Sequence, residues 1–192
     1  MTISRILTFL TILVLFAATA VSQDKGKGKG PAGPGMTLTT TAFPDGGEIP
    51  AKYTQSVSDP VSPKLEWTHV PAGTVSFALI MHDPDVARNK TTTDMLHWLI
   101  FNIAGSARSL PEGVAPGTSG PDGSLQAKNG GEVNGYRGPG APAAGPHHHY
   151  TFELYALDTK LDLGSDTTRP DILKAMEGHV LGKAVLEARF HR

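Results

Sequence analysis

The chain contains no cysteine, which excludes disulfides, thiolate metal sites and a thiol nucleophile. Whatever folds here is held by burial alone. Charge of one sign is also lacking: 17 Lys and Arg stand against 18 Asp and Glu, a formal net charge of −1. No overall field draws the molecule to nucleic acid or to an anionic membrane surface. Long hydrophobic runs are confined to one place. Ile6 to Ala18 is apolar almost throughout, and it falls short of the ~20 residues that a membrane-spanning helix needs. Arg5 before it and Ala18-Thr19-Ala20 after it complete the pattern of a secretory signal peptide, residues 1–20. With no cysteine after the run, a lipid anchor is excluded. The expectation is an exported protein, periplasmic or secreted, without a stable membrane span after signal cleavage.

Glycine and proline are plentiful, at 22 and 15 residues, and they punctuate the chain after the leader. Residues 21–36 read as a flexible Gly/Lys/Pro-rich tether, whose Lys25, Lys27 and Lys29 are the only basic cluster. Residues 37–192 are long enough for one domain, which at this size buries about 68–70% of its unfolded surface without staples. Short apolar segments lie between the turns: Thr37 to Ala42, Lys64 to Trp67, Ser76 to His82, His97 to Ile103, Tyr150 to Leu157 and Gly182 to Phe190. Their length and their aromatic and β-branched content argue strands. Several such strands argue a sandwich of antiparallel sheets. A single helix is expected over Asp171 to Val180, with Ile172, Leu173, Met176 and Val180 near one face and Pro170 at its start.

Three groups carry chemistry. Asp83-Pro84-Asp85 ends the Ser76 strand and sets two carboxylates two residues apart, able to orient a histidine or meet a ligand. His97-Trp98 opens another strand, where an imidazole can stand at a pocket mouth beside an indole wall. The tract Gly135 to Leu157 runs from a Gly/Pro/Ala loop through His147-His148-His149 into a strand. Glycine allows close backbone approach and proline stiffens the loop, so its remaining amides can point at a ligand. Strand alternation sends His147 and His149 to one face and His148 to the other, so the three cannot together ligate one metal. A site of His97, His148 and Asp83 or Asp85 is the metal alternative. There is no G-x-S-x-G nucleophile elbow.

In their order, these blocks resemble the phosphatidylethanolamine-binding protein family, which includes the Raf kinase inhibitor protein, and especially its bacterial branch. The resemblance spans Phe43 to Phe190. It rests on Ser62-Pro63 with Leu65 and Trp67, Val70 to Asp85, His97 to Ile103 with Leu110 to Val114, Gly135 to Asp158, and Ala175 to Gly182. It implies a mainly β sandwich with a short helix near the C-terminus and a small anion pocket. That pocket is expected to be lined by Asp83, Asp85, His97, Gly140 and His148, with Tyr150 following in the family's His-x-Tyr motif. His149 stands where the family most often has Arg, Val86-Ala87 where it has Ala-Pro, Met95 where a Trp is frequent, and Ala141 where a proline is usual.

The resemblance implies binding and regulation more than turnover. The expected function is noncatalytic binding of a phosphate-like or carboxylate anion, such as a phospholipid head group or a phosphorylated ligand, with no cofactor and no metal. One alternative is an inhibitor of a protein partner, a kinase or protease, acting through the pocket rim. Another is a metal-dependent hydrolase. Bacterial relatives suggest a homodimer.

Overall fold

The segments expected as strands are strands, with shifted ends. A computed structural model describes residues 34–192, so the leader and most of the tether lie outside the described residues. In chain order the elements are β1 (Thr37–Thr39), β2 (Gly47–Glu48), β3 (Leu65–Thr68), β4 (Ser76–Asp83), β5 (Met95–Ala104), β6 (Ser109–Leu110), β7 (Leu125–Gln126), β8 (His148–Leu157), α1 (Arg169–Met176) and β9 (Val180–Phe190). They form a three-stranded sheet, β1-β3-β6, and a six-stranded sheet, β2-β9-β8-β4-β5-β7. β2 runs parallel to β9, and the other pairings are antiparallel.

The main core lies between the sheets. Leu38, Leu65 and Trp67 of the small sheet pack with Phe77, Leu79, Met81, Phe152 and Leu154 of the large one. Trp67 meets Phe77 edge-on at 5.3 Å between ring centroids. A second apolar cluster covers the opposite face of the large sheet, where Ile172 and Met176 of α1 and Leu161 pack over Ala78, Ile80, Leu99 and Phe101. This second layer explains why Phe77 to Met81 is apolar without alternation: β4 is covered on both faces.

The helix is shorter than its apolar pattern predicts. It begins at Arg169 after an N-cap on Thr168, whose backbone and hydroxyl engage the Asp171 carboxylate in a capping box. It stops at Met176, and Gly178 then takes φ +81°. Only Ile172 and Met176, one turn apart, are buried; Leu173 is 39% exposed. Val180 is also exposed and opens β9 instead of closing the helix.

β4 lies between β5 and β8 and runs antiparallel to both, so its C-terminal end meets the first residues of each. Asp83 pairs with Met95, and His82 with Thr151. Along β5 the register slips: Met81 opposes Trp98 while His82 opposes Leu96. His97 is the extra residue of this bulge. Such a bulge re-aims a side chain, and here it frees His97 from strict alternation while Trp98 stays in the core.

Candidate functional site

The ends of β4, β5 and β8 and the loop Arg137 to Pro142 enclose a cavity of about 150 Å³. Five expected residues line it: Asp83, His97, Gly140, His148 and Tyr150. Asp85 does not. Its carboxylate accepts from the His149 backbone N–H at 2.6 Å and lies 2.9 Å from His149 Nδ1, on the exposed rim. The expected joint carboxylate pair therefore divides. Asp83 ends a paired strand and faces in, whereas Asp85 belongs to the turn after it.

Asp83 is buried, with 2% of its surface exposed. Oδ1 accepts the Asp85 backbone N–H at 3.0 Å, and Oδ2 accepts from His148 Nδ1 at 2.8 Å. A carboxylate only accepts when ionised, so the contact places a proton on His148 Nδ1 and turns Nε2 away from Asp83. Of the three consecutive histidines only His148 lines the cavity. His149 is on Asp85, and the His147 ring packs edge-on against His191 at 4.0 Å.

The His97 bulge is clamped to the glycine-rich loop. Arg137 N–H donates to the His97 carbonyl at 2.8 Å, and His97 Nδ1 donates to the Arg137 carbonyl, also at 2.8 Å. The second bond selects the Nδ1–H tautomer and leaves Nε2 as an acceptor in the neutral ring. Burial pushes the His97 imidazole below its ordinary range, against the opposing pull of the Arg137 carbonyl and of Asp83. Its ring stands edge-on to Tyr150 at 5.2 Å.

Two buried polar atoms on the cavity residues lack a hydrogen-bond partner among the described residues: the Tyr150 hydroxyl and Arg137 Nε. Burial pushes the Tyr150 phenol well up, and the Asp83 carboxylate pushes the same way. It stays protonated, a donor and a poor nucleophile. Neither Arg137 nor Gln55, which also lines the cavity, was a sequence candidate. Arg137 had a signal, as the only cation between Gly135 and Pro146. Gln55 had none. It reaches across from a distant loop, its backbone N–H donating to the Pro139 carbonyl at 2.8 Å and its amide to the Gly138 carbonyl at 2.7 Å. Gly138 has to be glycine for the same reason: a Cβ there would stand 2.8 Å from the Tyr53 carbonyl oxygen. Val86, Met95 and Ala141, three of the departures from the family pattern, all line the cavity. Among the described residues, no three His, Asp or Glu side chains are grouped to hold a metal.

Residues 39–191 match the sequence profile of the phosphatidylethanolamine-binding protein. The chain belongs to that family. A UPF0098 protein of Methanothermobacter thermautotrophicus is 46% identical over 157 residues, covering 82% of this chain and 99% of the relative. A solved phosphatidylethanolamine-binding protein homologue from Chlamydia trachomatis superposes with a TM-score of 0.71 at 31% identity, over 82% of this chain and 98% of that one. YbcL of Escherichia coli, described as a member of the mammalian family, gives a TM-score of 0.73 at 26% identity, over 83% and 99%. Every residue of the cavity falls inside the family match. Phosphatidylethanolamine-binding proteins form a family of binding proteins, and the two-sheet fold is theirs.

Proposed function

We propose that this member of the family is an exported, noncatalytic binding protein whose small cavity takes a phosphate-like or carboxylate anion. The observation that carries the reading is the pair of unpartnered buried donors, Tyr150 O–H and Arg137 Nε–H, on one cavity with His97 and His148. Buried donors without partners are destabilising unless something fills the site, and an oxyanion satisfies them. The cavity also has the right size. At about 30 Å³ per water, 150 Å³ is room for roughly five waters, enough to admit one tetrahedral oxyanion.

Binding without turnover is supported by the lining. No Ser, Thr, Cys or Lys side chain faces the cavity, and Tyr150 is held as the phenol. Export is supported by the leader pattern in residues 1–20. The test is a thermal-shift titration with inorganic phosphate on the parent and on His148→Ala. Stabilisation of the parent that the variant loses is the expected outcome. Equal stabilisation of both refutes the reading of the pocket. Cleavage after about residue 20 in secreted material, read by N-terminal sequencing, tests export.

A further inference from the structure

The cavity holds more acceptors than an anion site should. Asp83 lies on its wall, buried, with both carboxylate oxygens acting as acceptors. His97 presents a second acceptor, because its Nδ1 proton is committed to the Arg137 carbonyl and Nε2 of the neutral ring keeps its lone pair. An oxyanion bearing no hydrogen meets both as a repulsive contact between lone pairs. One that carries an O–H can donate to either acceptor, while its other oxygens accept from Tyr150 and Arg137.

From this arrangement we infer that the pocket selects oxyanions carrying a proton, namely hydrogen phosphate or the monoprotonated form of a phosphomonoester, over tetrahedral anions that have none. The inference rests on the anion-binding reading above and narrows it. Sulfate, sulfate esters and phosphodiesters have no O–H at neutral pH, so each leaves a buried acceptor unpaired. Selection of this kind acts through an unpaired group, which is where hydrogen-bonding sites discriminate most strongly.

The choice of proton carries a pH signature. A phosphomonoester has its second pKa near 6, so above that value binding must take up one proton from solvent. Affinity then falls roughly tenfold per pH unit. The titratable groups of the protein that face the cavity are the other source to control for: Asp83 from β4, His97 from β5, and His148 and Tyr150 from β8, with the fixed Arg137 cation from the loop and Asp85 and His149 on the rim. Charge-matched ligands separate the two sources, because methyl sulfate meets the same protein titrations and has no proton of its own to lose.

The experiment is calorimetric titration of the full chain with inorganic phosphate, methyl phosphate, methyl sulfate, dimethyl phosphate and glycerophosphoethanolamine between pH 5.5 and 8, in two buffers of different ionisation enthalpy. Methyl phosphate is expected to bind at least tenfold more tightly at pH 6 than the other two methyl esters. Its affinity should fall by about tenfold per unit above pH 7, with close to one proton taken up. Tighter binding of inorganic phosphate than of methyl phosphate assigns the site to free phosphate, and the reverse assigns it to a monoester. Methyl sulfate or glycerophosphoethanolamine binding as well as methyl phosphate overturns the inference and leaves the anion site standing. No binding of any of the five overturns both. Asp83→Asn, checked for folding by its thermal transition, replaces an acceptor with an amide donor and should bring methyl sulfate to within threefold of methyl phosphate. Unchanged discrimination in that variant, if folded, counts against the proposed role of Asp83.

Discussion

Tyr150 sets stability against binding at a single atom. Its ring is fully buried beside His97, yet its hydroxyl has no partner among the described residues. Tyr150→Phe removes that hydroxyl without removing a protein hydrogen bond. Urea unfolding should therefore show stability unchanged or slightly raised, within about 0.5 kcal/mol. Phosphate affinity should fall by tenfold or more, because a hydrogen bond to a charged group is worth about 1.5–3 kcal/mol. A variant that loses stability and keeps its affinity would remove Tyr150 from the site. His97 makes the second prediction at this scale. Its folded-state pKa lies below the unfolded value of about 6.5, so the unfolded chain binds the extra proton. Stability contributed by the neutral ring is complete above that pH and is lost as pH falls from about 6.5 toward the folded pKa. His97→Gln keeps a donor for the Arg137 carbonyl and cannot titrate. Relative to this variant, the parent should lose stability between pH 7 and 5 and run parallel to it above pH 7. Parallel curves throughout would contradict the burial argument.

Among the elements, α1 shows what an apolar pattern can and cannot say. Ile172, Leu173 and Met176 fall close together around a helix, and nothing local separates them. The large sheet separates them: it buries Ile172 completely and leaves Leu173 39% exposed. Ile172→Ala should cost about 2–5 kcal/mol in denaturant unfolding, and Leu173→Ala under about 1 kcal/mol. Equal losses would mean that the helix sits differently on the sheet. The β5 bulge makes the same point for the site. His97-Trp98 reads as two alternating faces, one in and one out. The register slip between Met81 and His82 brings a histidine into the pocket next to a tryptophan in the core. Slips of this kind depend on the partner strand and leave no mark in a single segment.

At the scale of the whole molecule, a fold without cysteine should unfold at the same temperature with and without a reducing agent, and differential scanning calorimetry checks this directly. Ligand binding should stabilise the domain by mass action. A hundredfold excess of phosphate over its dissociation constant contributes about 2.7 kcal/mol, or roughly 5–10 °C in Tm for a domain of this size. His148→Ala should abolish most of that shift.

Strand identity, the turns between strands and the placing of His148 on the opposite face from His147 and His149 were legible in the sequence. They follow from local periodicity, which the chain carries residue by residue. The order of the family blocks made the sandwich and most of the pocket legible as well. Tertiary structure alone decided which carboxylate serves the cavity, because Asp83 and Asp85 differ only in whether the chain at each is still paired in the sheet. It also brought Gln55 and the Arg137 guanidinium to the wall, 82 residues apart in the chain, through loops whose positions are set by packing. Periodicity determines which face a side chain takes. Pairing between distant strands determines what that face meets.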